Sequence, residues 1–494
     1  MKHTKITISL CWIGVILLNP MWAQFDKDYS PLQSSGEIPK YVIQRASVRT
    51  SEDLKNSKLD MTKEQQKEFF ALSNYVQRQS FLTGNILFND EVSSYLNAIK
   101  DILLRDMPEV RDSIRVFASR YVTPNASCWR DGTVFFNLSL LEYLDSEAQL
   151  AFIISHEASH YIRQHSYQKF KRKTKVRELA LQKGTEVDDL FEQLRFSREK
   201  EIEADSLGLL IYLNSKYDPD EAVKALEALY QIDSRATKLP TLDILELFHV
   251  KGLEVDSIHD CLTGLEAGQI AMSSNLTISF KESERDAPRE QPQAQDSSLG
   301  THPSIEERVG RIRRQIDEGT LYASGQKFLV GERRFFEIQE VAKFECIQKH
   351  YEQGKYTVSL FEALSLALTY PENAYLQSMV LKSMYWIQFM DKTGSFYQVV
   401  PLPYYYLGEP YGIFLCYLRS KSEEDIRGLS LLLARDRLGK PWFKEKEDIL
   451  LWAGRIFEIN EENQDAQACY RNLLSLYPDS KHKHFAAHKI STLK

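Results

Sequence analysis

The sequence predicts an α+β chain that is mostly α, with a globular unit containing a small sheet followed by an array of paired helices. Three observations predict this. Apolar residues recur at helical spacing over most of the chain from Met61 onward. Only two short runs of β-formers interrupt it, Ile114 to Val122 and Val134 to Asn137, near the turns Thr123-Pro124-Asn125 and Asp131-Gly132. Beyond about residue 335, two segments can be laid over each other, residues 359–371 on residues 466–478. Each has a small or aromatic core residue eight places before a Pro, then an apolar pair, then Tyr-Pro and an acid. That is the second-helix signature of a tetratricopeptide-like repeat.

Bulk properties narrow the class. The 494 residues are about three domains' worth of material. A content of 43% hydrophobic and 27% charged residues is that of an ordinary globular protein. A net charge of -7 argues against nucleic acid or an anionic membrane surface as the main partner. Lys2 and Lys5, the apolar run Ile6 to Leu18, a turn at Asn19-Pro20 and Ala23-Gln24 read as a secretory signal over residues 1–23. The competing reading, an N-terminal membrane anchor, is weakened by the shortness of the run. No later segment reaches about 18 uninterrupted apolar residues, so no transmembrane span is expected in the mature chain. Five scattered cysteines remain after the signal, which gives no disulfide framework.

The elements follow in order. Residues 24–60 read as a loosely ordered lead-in, with Pro31, Ser34-Ser35-Gly36 and Pro39. Residues 61–330 form the first globular unit: helix to Leu104, the two strands, a short helix from Leu138 to Leu144, then a helix carrying His156 and His160. Ser146 and Gln149 read as a capping box for that helix, with Glu147 at its positive end. The basic stretch from Lys169 to Arg177 reads as a solvated helix face or as a substrate or lipid contact, and the composition favours the solvated face. Helices are expected over 199–213, to Tyr230, and over 305–316 with Ser304 as cap. Residues 281–300 read as a flexible loop. Residues 331–494 are the helical repeat unit, with the aromatic run Tyr404-Tyr405-Tyr406 inside it.

The chemistry begins at His156-Glu157-Ala158-Ser159-His160. Helical residues four apart share a face, so the two imidazoles are placed to hold one Zn²⁺. Glu157 is placed to take a proton from a water that the cation polarises. Catalytic zinc usually takes a third protein ligand. Glu199, Glu201, Glu203 and Asp205 offer four acids on one predicted helix. Glu201 and Asp205 share a face, and Glu203 is rotated about 200° from Glu201. The residues alone leave Glu201 as either a ligand or a surface acid. With Glu201 as ligand, Asp205 would orient a ligand imidazole.

Several stretches together carry a resemblance: Pro124-Asn125-Ala126, the Asp131-Gly132 turn, Leu150 to His160, Glu201-Ile202-Glu203-Ala204-Asp205, and Thr301-His302-Pro303 with Arg308. In order and spacing the chain resembles the zincin-type zinc metallopeptidase family that includes HtpX, the CAAX prenyl proteases and BepA. The resemblance covers about residues 65–316, and the trailing helices look most like the BepA architecture. It implies one zinc per chain, held by His156, His160 and Glu201, with Glu157 as general base. It further implies that Asp205 and Arg308 support the ligands. His302 would then stabilise the oxyanion or occupy the water position in a resting state. Val134, Phe135, Phe136 and Asn137 are expected to be an edge strand that holds substrate by backbone pairing. The expected function is an exported, periplasmic endopeptidase acting on unfolded or misassembled envelope proteins, with outer-membrane assembly machinery as a partner of the helical unit. Two alternatives stand beside it: a chaperone or assembly scaffold with a quiescent zinc site, and a zinc hydrolase of non-peptide substrates.

Overall fold

The computed structural model describes residues 25–36, 39–183, 187–233, 304–318, 325–402 and 410–493. The signal of residues 1–23, the loop 281–300, His302 and the run Tyr404 to Tyr406 lie outside the described residues. The first part runs α1 (Lys40–Ile43), α2 (Ala46–Asn56), α3 (Lys63–Leu82), α4 (Glu91–Leu103), α5 (Pro108–Ser113), β1 (Arg115–Ser119), β2 (Ala126–Cys128) and β3 (Thr133–Asn137). A 3₁₀ turn (Leu138–Tyr143) then leads into α6 (Glu147–Ile162), α7 (His165–Lys183), α8 (Val187–Leu213), α9 (Asp220–Asp233) and α10 (Ile305–Glu318). Mostly helical with one small sheet, this is the predicted fold class.

The sheet has strand order β1-β3-β2, with β1 parallel and β2 antiparallel to β3. Its side chains alternate as the pleat requires. Val116, Ala118, Val134 and Phe136 enter the main core, which also takes the buried faces of α4 and α6. Phe117 and Phe135 point the other way and meet Phe81 of α3 edge-on, at 5.5 and 5.3 Å between ring centroids. The turn before β3 needs its glycine. Gly132 has φ +82°, and a Cβ there would lie 2.5 Å from the Ser113 carbonyl oxygen.

Caps fix where the key helices start. The Ser146 hydroxyl accepts the Gln149 N–H at 3.2 Å, as the sequence predicts for α6. The reciprocal bond differs from a capping box: Gln149 Oε1 accepts from the Asp145 N–H at 2.8 Å, and its Nε2 donates to Glu221. Ser304 caps α10 through the Glu307 N–H at 3.2 Å.

The second part is a run of helices. They are α11 (Glu332–Glu352), α12 (Tyr356–Thr369), α13 (Ala374–Lys392), α14 (Phe396–Val399), α15 (Pro410–Arg419), α16 (Glu423–Gly439), α17 (Glu447–Ile459), α18 (Asn463–Leu476) and α19 (Lys483–Thr492). The two segments matched in sequence are α12 and α18, each the second member of a helix pair. Both end alike: Tyr370 (φ -122°, ψ 67°) and Tyr477 (φ -128°, ψ 68°) leave the helical region one residue before a proline. A proline ring disfavours helical backbone in the residue before it. Ala363 and Tyr470, the matched core positions, are both fully buried. Among the described residues, no helix is long and apolar enough to cross a membrane.

The lead-in is better ordered than its composition suggests. Residues 46–56 are helical, and residues 25–36 form a strap across both parts. Phe25 is buried against Phe344 and Tyr370. Glu345, itself buried, accepts from the Tyr29 hydroxyl, the Leu32 N–H and Arg120 Nε, each at 2.6 Å. The strap gains order from partners more than 300 residues away, which local composition does not report.

One buried carboxylate gives a test of how the core is held. Glu221 on α9 accepts from the Ser146 hydroxyl (2.6 Å), Gln149 Nε2 (2.9 Å) and Lys224 Nζ (2.7 Å). Burial opposes its ionisation, but these donors overcome burial and hold the carboxyl down at about 2, against an ordinary 4.5. A depressed carboxyl stabilises the fold above its unfolded value and loses that contribution as pH falls through its folded value. Glu221→Gln is therefore expected to destabilise the metal-free protein by about 1–3 kcal/mol at pH 7. The deficit should shrink as pH falls from 4.5 toward 2. Urea midpoints of both proteins at pH 7 and pH 3 check this, and a deficit independent of pH would contradict it.

Candidate metal centre

Two helices build the site. α6 presents His156, Glu157 and His160 on one side, and α8 crosses it with Glu201, Glu203 and Asp205. The crossing is close because of Gly208, one turn beyond Asp205. A Cβ at Gly208 would lie 3.0 Å from His156 Cα and 3.1 Å from His156 N. No residue with a side chain fits there without moving one of the two backbones.

At that separation three donor side chains converge. His156 Nε2 and His160 Nε2 are 3.1 Å apart. Glu201 reaches the first with Oε2 at 3.5 Å and the second with Oε1 at 3.8 Å. Tetrahedral ligands about 2.0–2.1 Å from a zinc ion stand roughly 3.3–3.4 Å from one another. The three observed separations bracket that value, so this donor set fits the ion. Glu157 offers a carboxylate oxygen within 4.8 Å of both imidazoles. His156 and Glu157 are 9% and 8% exposed, which puts the donors in a low-dielectric cleft.

Electrostatics follow from that burial. Burial pulls the His156 imidazole down, but the Asp205 and Glu201 carboxylates reverse this and raise it to about 10. Burial, then the charge on His156, drives His160 down to about 3. Glu157 is pushed up to about 7 by burial and by the Glu201 charge, against the pull of His156. Asp205 stays below the usual carboxylate range despite burial, because Arg308 and His156 both favour its anion.

Each imidazole is held from behind. Asp205 Oδ1 lies 2.9 Å from His156 Nδ1. Arg308, from α10, grips the same carboxylate with two bonds of 2.7 Å. The predicted supporting pair thus comes together around His156. The corresponding partner of His160 was not anticipated from sequence. His165 Nδ1 lies 2.8 Å from His160 Nδ1, and His165 Nε2 lies 3.3 Å from Glu203 Oε2. Glu203 does point away from Glu201, but toward this histidine. The signal lay in the spacing, a third histidine five places after His160.

The strand expectation needs correction. Val134, Phe135, Phe136 and Asn137 are on the central strand, with β1 on one side and β2 on the other. Both backbone edges of β3 are taken and all its residues are buried, so it cannot receive a substrate strand. The outer strands are β1 and β2, and β2, at Ala126–Cys128, is the one beside the site. It lines the same cleft of about 560 Å³ as His156, Glu157 and His160. Three residues beside a Pro-Asn turn carried too weak a periodicity to be read as a strand.

A small sheet over a helix with two histidines and a glutamate, crossed by a second helix bearing acids, defines a metallopeptidase domain. Residues 105–316 match the model of peptidase family M48. The chain is 32% identical over 120 residues to the mitochondrial metalloendopeptidase OMA1 of Arabidopsis thaliana, covering 23% of this chain and 25% of that protein. It is 21% identical over 192 residues to the beta-barrel assembly-enhancing protease of Yersinia pestis, covering 35% of this chain and 40% of the relative. In each case the match spans less than half of the relative's length.

The close helix crossing yields a prediction. Gly208→Ala should force α6 and α8 apart by a few tenths of an ångström, cost about 1–3 kcal/mol of stability and weaken metal binding. Leu210→Ala, on the same helix at a side chain that is 59% exposed, should do neither. Metal titration of the two variants checks this, and equal affinities would remove Gly208 from the account.

Proposed function

We propose that the protein is an exported zinc-dependent endopeptidase acting on unfolded or misassembled envelope proteins. The observation that carries the reading is the convergence of His156, His160 and Glu201 at 3.1–3.8 Å with the Glu157 carboxylate beside them. These three residues would hold zinc, which when bound supplies Lewis-acid polarisation of a water and of the scissile carbonyl. Glu157 takes the proton of the attacking water and delivers it to the leaving amine. Asp205 and Arg308 keep the His156 ring in place while charge moves. His302 donates to the developing oxyanion or closes the site at rest.

The cleft supports a polypeptide substrate. β2 offers a backbone edge at the side of the cleft, and an extended chain can pair with it through main-chain hydrogen bonds. Such pairing is nearly indifferent to side chains, which suits unstructured segments. The periplasmic setting rests on the signal read at residues 1–23, and the Yersinia relative is named for β-barrel assembly. That name supports a link to such assembly, with the helical array as a tetratricopeptide-like docking surface.

The reading is tested with casein as an unfolded substrate. Cleavage should stop on chelation and return on adding zinc. Glu157→Gln should abolish cleavage while the protein still binds one zinc. Undiminished cleavage by that variant would defeat the mechanism. His302→Ala should change the rate without emptying the site, and loss of zinc would make His302 a ligand.

A further inference from the structure

We propose that His165 and Glu203 are positioning residues that orient the ring of His160 toward the metal. The inference rests on the reading of His160 as a ligand. His160 turns its Nε2 toward His156 and Glu201, which leaves Nδ1 as the nitrogen facing the protein. On the same helix, His156 meets this need with Asp205. For His160 the partner is another imidazole, at 2.8 Å between Nδ1 atoms.

The tautomers follow from the geometry. Two ring nitrogens at that distance must be one donor and one acceptor. The Nε2 of His160 keeps its lone pair for the metal, so its proton is on Nδ1 and it donates to His165. His165 then carries its own proton on Nε2, the atom that faces Glu203 Oε2 at 3.3 Å. Glu203 is held in turn by Lys200 Nζ at 2.7 Å and by Arg163 Nε at 3.3 Å. The result is a relay from ligand to imidazole to carboxylate to cations. It matches the Asp205–Arg308 support of His156, with one imidazole interposed.

The backbone is shaped to deliver this histidine. α6 stops at Ile162, and Gln164 takes a left-handed conformation at φ +53°. Such a φ is uncommon for a residue with a side chain. The reversal makes His165 the first residue of α7 and turns its ring back onto His160, with centroids 4.9 Å apart and planes at 73°. His165 is 5% exposed, so its nitrogens depend on these partners rather than on water.

The test uses the full chain, stripped of metal, with zinc affinity read by competition with a chromophoric chelator. The visible spectrum of the cobalt-loaded protein gives a second readout. His165→Ala is expected to weaken zinc binding about 10–100-fold and to alter the cobalt spectrum. His165→Asn, whose Oδ1 restores an acceptor near the lost Nδ1, should stay within about threefold of the parent. Glu203→Ala should weaken binding by roughly 3–10-fold. All three should melt like the parent in the metal-free form. Parent-like affinity and spectrum in His165→Ala would overturn the proposal, as would equal losses in the Ala and Asn variants. Should His165→Ala fail to fold, Glu203→Ala decides, and an unchanged affinity there overturns it. If the parent and His156→Ala bind zinc alike, the ligand reading itself has failed, which is a different outcome.

Discussion

The approach of α8 to the backbone of α6 at Gly208 is the constraint on which the site depends. The donors on the two helices are far apart in sequence, with Glu201 41 positions after His160. Nothing local brings them together. The contact of Gly208 with the His156 backbone sets the helix separation, and that separation decides whether the Glu201 carboxylate reaches the imidazoles. Asp205, one turn before Gly208, reaches His156 Nδ1 for the same reason. A glycine chosen for packing thus controls both the donor set and its support.

A buried cluster of two histidines and three acids would be costly if it were left unpaired. The chain answers with charge-assisted bonds on the sides of the cluster that face the protein. Arg308 meets Asp205 with a planar fork, a geometry that fixes the carboxylate as well as neutralising it. Lys200 and Arg163 do the same for Glu203 nearer the surface. On the inner face His156, His160 and Glu201 converge. That is the arrangement a divalent cation completes.

Much of this was legible in the sequence because it is periodic or local. The i, i+4 histidines, the Glu201–Asp205 spacing and the Ser146 and Ser304 caps each follow from one helix's geometry, and each is in its expected place. The parts that were not legible are tertiary. Val134 to Asn137 has the β-formers of a strand, but its sequence does not say whether it is central or at the edge. β2 is too short to show alternation, and it becomes a strand only by pairing with β3. Gly208 looks like any glycine in an apolar helix until its neighbour is known. His165 follows a turn whose left-handed residue is a glutamine, where a glycine or asparagine would have marked the reversal. The strap of residues 25–36 is polar and rich in turn-formers, and it is ordered by Glu345, Asn373 and Phe344 from the other end of the chain.

The helix that carries the histidines is also the helix that receives the second part of the molecule. Its first residue, Glu147, is fully buried. Its carboxylate accepts from the N–H groups of Leu329, Val330 and Gly331 at 2.8, 2.8 and 3.1 Å. The hydroxyls of Tyr95 and Tyr217 complete the set at 2.7 and 2.5 Å. Three consecutive donors of the segment entering α11 therefore end on one anion at the positive end of α6. Gln339 of α11 adds bonds to the carbonyls of Leu141 and Leu144, just before α6 begins. A rotation of the helical array would have to break this set or carry α6 with it, and His156 lies nine residues along that same rigid rod. The array and the metal centre are thus joined by one helix.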